Sequence, residues 1–124
     1  MDTIRHVDAV LRGLEFDPDP RLLPDDPAQM MSVVTITVGP SESEGGDLFT
    51  AKLCTPQWIA NQPETASVLS GYGYLIVGFE DFDVQAFRKG IVKFLARIHE
   101  ETWTEVARRI MHWFPDWEYE GYVP

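Results

Sequence analysis

The order of hydrophobic and polar positions divides the chain into a strand-rich first half and a helical second half. Val33-Val34-Thr35-Ile36-Thr37-Val38 is the clearest strand, a β-branched run closed by Gly39-Pro40. A polar loop from Ser41 to Asp47, containing Gly45-Gly46, leads to a second strand. There Phe49, Ala51 and Leu53 alternate with Leu48, Thr50 and Lys52, so one face is buried and the pair reads as a long-looped hairpin. Thr55 then caps a helical turn whose first residue is Pro56, with Trp58 and Ile59 pinning it to the core. Tyr74 to Phe79 reads as a third short apolar strand, entered through Gly71-Tyr72-Gly73.

From Val84 the period changes. Val84, Phe87, Ile91, Phe94, Leu95 and Ile98 follow one helix face, with Asp81 or Asp83 as the cap. Arg88, Lys89, Lys93 and Arg97 fall off that stripe and should meet water. Thr102-Trp103-Thr104-Glu105 has the capping-box pattern and opens a second helix. Its apolar face is Trp103, Val106, Ala107, Ile110, Met111 and Phe114, and Pro115 stops it. Trp117 to Tyr122 then alternates aromatics, expected to pack, with Glu118 and Glu120, expected to be exposed.

Two segments resist this reading. From Ile4 to Phe16 the apolar positions fit either a helical stripe or a long strand with a bulge at Gly13. Residues 17–27 carry four prolines, which remove backbone donors and force irregular backbone. Strands first and helices later predict one α+β domain over residues 1–124. The expected architecture is an antiparallel sheet with two C-terminal helices packed on one face.

Composition narrows the function. Of 124 residues, 44% are apolar, enough for a hydrophobic core without a staple or cofactor. Twenty acids against ten bases leave a net charge of -10, which disfavours nucleic acid and anionic membrane surfaces as partners. The charge is uneven: residues 88–112 hold six of the ten bases and only three acids. An acidic face suits a basic protein partner. The single cysteine, Cys54, excludes an intrachain disulfide. With no apolar leader core and no run of transmembrane length, a cytoplasmic location is expected.

Candidate chemistry is sparse. His6, His99 and His112 stand far apart, without cysteines or carboxylates at metal-ligand spacing. Cys54 reads as a buried small hydrophobe, with no histidine near it in sequence. Glu80-Asp81-Phe82-Asp83 clusters carboxylates at a strand-to-helix junction, where anions favour the helix N-terminus; it lacks the spaced ligands of a calcium loop. Gly71-Tyr72-Gly73 precedes a strand, whereas phosphate-cradling glycines follow one. No catalytic residue, metal or cofactor is expected, and the protein is read as a binder rather than an enzyme.

Phe49-Thr50-Ala51-Lys52-Leu53-Cys54-Thr55-Pro56-Gln57-Trp58-Ile59 resembles the strand-and-turn motif of the immunity protein 8 family of bacterial polymorphic toxin systems. Thr102 to Ala107, the closing Trp117-Glu118-Tyr119-Glu120-Gly121-Tyr122 and Val38-Gly39-Pro40 extend the resemblance over residues 33–122. Gly121 stands where the family usually has an acid. The resemblance implies a cytoplasmic immunity protein that binds and neutralises a cognate toxin, with a nuclease as the expected kind, and it favours a strand for the opening stretch. Phe49, Cys54, Thr55, Pro56, Trp58, Trp103, Trp117 and Tyr119 are expected to maintain the fold. Toxin contact is expected on Glu42, Glu44, Asp47, Glu80, Asp81, Asp83, Glu118, Glu120 and Tyr122. The competing reading is a non-catalytic adaptor or chaperone-like protein of a secretion system, using the same acidic surface.

Overall fold

A computed structural model describes residues 6–17, 19, 30–61, 74–76 and 83–118. The elements run β1 (Ala9–Asp17), β2 (Met31–Pro40), β3 (Asp47–Cys54), α1 (Pro56–Ala60), β4 (Tyr74–Ile76), α2 (Val84–Ala96), α3 (Trp103–Ile110) and β5 (Asp116–Glu118). The fold is α+β, as expected. The Pro-rich run is outside the described residues except Asp17 and Asp19, as are the glycines at 71 and 73 and the Val77–Phe79 end of the third predicted strand.

The sheet has the order β1-β2-β3-β4, with β5 also pairing to β3. β1, β2 and β3 are antiparallel neighbours, and β5 is antiparallel to β3. β4 departs from the expected antiparallel sheet, because it lies parallel to β3 over Lys52–Cys54. Parallel neighbours require a crossover connection, and the chain from α1 to β4 is long enough to make one. β5 was not visible as a strand in the sequence. It is three residues long, and its identity comes from pairing with Leu48–Thr50.

Alternation in β2 and β3 builds the core. Val34, Ile36 and Val38 point to the same face as Phe49, Ala51 and Leu53, and all six are buried. Register joins Leu14, Ile36, Phe49 and Trp117 into one row across four strands. The Trp117 ring stacks on Phe49 with centroids 6.0 Å apart and an interplanar angle of 7°. Ile91 and Leu95 of α2, and Val106, Ala107 and Ile110 of α3, close over this face. Each fully buried Val, Ile, Leu or Phe contributes about 1.5–3 kcal/mol, which ties both helices to one side of the sheet. The other face carries Thr35, Thr37 and Thr50 with the exposed Glu15, Lys52 and Asp116.

β1 resolves the ambiguity of the opening stretch. Leu11 pairs with Val38 and Gly13 with Thr37, so Arg12 is an extra residue and forms a bulge. Ala9 and Leu11 before the bulge, and Leu14 and Phe16 after it, therefore share the core side. The phase change produces the three-residue spacing from Leu11 to Leu14 that imitates a helix.

Both long helices have the expected caps. Asp83 Oδ1 accepts from the Gln85 N–H at 2.9 Å, and Thr102 Oγ1 accepts from the Glu105 N–H at 3.2 Å. α3 ends four residues before Phe114. Ahead of Pro115 the chain tightens, with the His112 and Trp113 N–H groups donating three residues back, and Phe114 still reaches the core.

Candidate functional site

The loop between β2 and β3 is held firmly in place. The bulge re-aims Arg12, whose Nη2 donates to the carbonyl oxygens of Pro40 at 2.8 Å and Ser43 at 2.6 Å. The Ser41 N–H donates to Asp8 O at 2.9 Å, which ties the loop to the start of β1. Gly45 adopts φ +82°, and the backbone at Gly46 passes so near β2 that a Cβ there would lie 2.6 Å from Val38 O. Glu42 and Glu44 are thus exposed on a braced loop.

Asp47, expected as a third exposed acid of this loop, is only 5% exposed. Its Oδ2 accepts from Trp103 Nε1 at 2.7 Å and from Trp117 Nε1 at 2.9 Å. One carboxylate oxygen therefore joins the start of β3, the first residue of α3 and β5. An acid committed to two indoles beneath the surface is an architectural group, so the sequence reading of Asp47 as a contact residue is corrected. Trp103 and Trp117 meet at that one oxygen, and Thr55 makes a local contact of its own. Its Oγ1 accepts from the Trp58 N–H at 3.4 Å across a turn that begins at Pro56.

Above this lock lies a cleft of about 290 Å³, walled by Val7, Pro40, Ser41 and Trp103 and carrying His6, Asp8, Glu42 and Glu101. A β-bridge between Val7 and Glu100, with the Val7 N–H donating to Glu100 O at 2.8 Å, brings the chain before β1 against the entry to α3. Three carboxylates from distant parts of the sequence thereby share one concave surface beside an indole. Carboxylates can grip a guanidinium through paired charge-assisted hydrogen bonds, and an aromatic face can receive its cation. Of the expected contact residues, this surface includes Glu42, and Glu44 is on the same loop. Asp8 and Glu101 were missed by sequence reasoning. Neither belongs to a motif, and the Val7–Glu100 bridge brings them together.

The remaining expected contacts are elsewhere. Asp83 is the N-cap of α2. Glu118 ends β5 opposite Leu48, its side chain outside the described part. Glu80, Asp81, Tyr119, Glu120 and Tyr122 also lie outside the described residues. Among the described residues, no group of three or more His, Cys, Asp or Glu side chains is placed to hold a metal ion. Cys54 is buried, and that burial pushes its thiol above the ordinary cysteine range. No helix of the described residues is long and apolar enough to cross a membrane.

A family model described as Immunity protein 8 matches residues 9–122. Searches of curated proteins and of solved structures found no match.

Proposed function

The chain belongs to the Immunity protein 8 family, and from that membership, which implies an immunity protein with a toxin partner, we propose that it neutralises its cognate toxin by non-catalytic, stoichiometric binding through the acidic cleft. The observation that carries this reading is the convergence of Asp8, Glu42 and Glu101 beside Trp103. A Lys or Arg of the toxin enters the cleft, while Glu44 and the acids at 80, 81, 83, 118 and 120 add to a long-range field. The net charge of -10 supports a basic toxin, of which a nuclease acting in the cytoplasm is the reading adopted.

The test has two arms. Co-expression with the toxin encoded beside this gene should restore growth, which an adaptor of a secretion system would not do. In stopped-flow mixing with that toxin, the Glu42→Gln/Glu101→Gln variant should associate roughly three- to tenfold more slowly at low salt, with unchanged thermal stability. Association rates equal to wild type and insensitive to salt would remove the acidic cleft as the contact.

A further inference from the structure

A second concave surface lies between α2 and α3, and its chemistry is opposite to that of the acidic cleft. At one end Leu75, Phe87, Ile91, Phe94, Trp113 and Phe114 line an almost wholly apolar pocket of about 360 Å³. Phe94 and Trp113 continue into a larger cleft of about 630 Å³, where the polar wall is Arg97, His99, Arg109 and His112. Trp113 is 56% exposed despite its size, and Val92 on α2 is 49% exposed. Among the described residues of this wall the one carboxylate, Glu100, is already held by Arg109 Nε at 2.8 Å. The Arg97 guanidinium has no ion pair among the described residues. Sequence charge repeats the contrast, since residues 88–112 carry six bases and three acids in a chain of net charge -10.

We propose that this cleft is a docking surface for an acidic peptide segment of a partner protein, one with a large apolar side chain flanked by carboxylates. The apolar pocket, near the lower end of the size of small-ligand sites, receives the anchor. Trp113, placed at the junction of the two chambers, packs over it as exposed interface tryptophans do. Arg97 and the neighbouring histidines then meet the flanking carboxylates, and paired contact with a guanidinium favours carboxylate over other anions. Charge complementarity selects an acidic occupant: a basic peptide would meet Arg97 and Arg109, whereas it is attracted by the rest of the molecule. The two surfaces adjoin, because the His6 ring stands edge-on to His99 with centroids 5.6 Å apart. The assignment does not rest on the acidic cleft or on the toxin being basic.

A displayed random-peptide library selected on the full-length protein tests it, with Trp113→Ala protein used for counter-selection. Enriched peptides should carry two or more Asp or Glu residues around an aromatic or branched aliphatic residue. In fluorescence anisotropy, their affinity should fall about tenfold or more with Trp113→Ala and with Arg97→Glu, weaken with salt, and be unchanged by Glu15→Gln on the far face of the sheet. The two variants act on different parts of the contact, so a folding defect in one, seen by circular dichroism, leaves the other decisive. Selection of basic peptides, or enrichment no greater than on the Trp113→Ala protein, overturns the proposal. So does sedimentation showing wild-type dimers that Trp113→Ala dissolves, because the cleft would then be a contact between copies. Failure here leaves the growth-rescue and salt results of the acidic cleft standing, and those results can fail without affecting peptide selection.

Discussion

Removing the Asp47 carboxylate should have a large effect on stability for a single surface-adjacent acid. Its Oδ2 accepts from two indole N–H groups, at 2.7 and 2.9 Å, and the side chain is buried. Hydrogen bonds to a charged group are worth about 1.5–3 kcal/mol each, giving an upper bound near 6 kcal/mol for the pair. Trp103 and Trp117 are only partly buried, so water can reach the freed donors and the expected loss for Asp47→Ala is about 3 kcal/mol. For a chain of this length that lowers the melting temperature by on the order of 10 °C. Because one oxygen takes both bonds, Asp47→Asn keeps an acceptor in place and should lose only about half as much. Glu42→Gln, on the exposed loop, should stay within about 0.5 kcal/mol of wild type. Urea unfolding followed by tryptophan fluorescence measures all three. A cycle with Trp103→Phe should show coupling of about 1 kcal/mol or more between Asp47 and the indole N–H. If Asp47→Ala costs no more than Glu42→Gln, the lock is not holding β3, α3 and β5 together.

Three further outcomes follow from local geometry. Gly90 is in the middle of α2 with open space where a Cβ would go, so Gly90→Ala should stabilise by about 0.5–1 kcal/mol in chemical denaturation, whereas Gly39→Ala, whose Cβ would meet the Gly45 carbonyl, should destabilise by about 1–3 kcal/mol. The buried, upward-shifted Cys54 thiol should resist a thiol reagent at neutral pH in native protein and react on unfolding; rapid native labelling would contradict its burial. The hydrogen bond from Arg109 holds the Glu100 carboxyl below the usual carboxylate range. A depressed folded value means the associated stability is present above the ordinary glutamate range and is lost as pH falls through the depressed value. Arg109→Ala should therefore raise the Glu100 titration midpoint toward the ordinary range, as read by NMR; an unmoved midpoint would rule out this cause.

Amino-acid order alone determined the features whose causes are local. Alternation marked β2 and β3 because side chains two apart share a face, and Asp81 or Asp83, Thr102 and the Thr55-Pro56 pair marked helix starts because a cap bonds two or three residues onward; the structure chose Asp83. The helical stripe from Val84 to Ile98 was legible for the same reason. Tertiary structure decided whatever depends on partners far away in sequence. A bulge at Gly13 was one of two readings of the opening stretch, and only pairing with β2 chose it and put the extra residue at Arg12; β4 became parallel and β5 a strand only through their registers with β3. Asp47 changed from a loop acid to a buried lock because its indole partners are 56 and 70 residues away. Asp8, Glu42 and Glu101 form one surface because the Ser41–Asp8 backbone bond and the bridge between Val7 and Glu100 draw the β2–β3 loop, the start of β1 and the entry to α3 together. Local periodicity reports which face a residue takes, whereas a site is a meeting of faces, and chain folding sets where those faces meet.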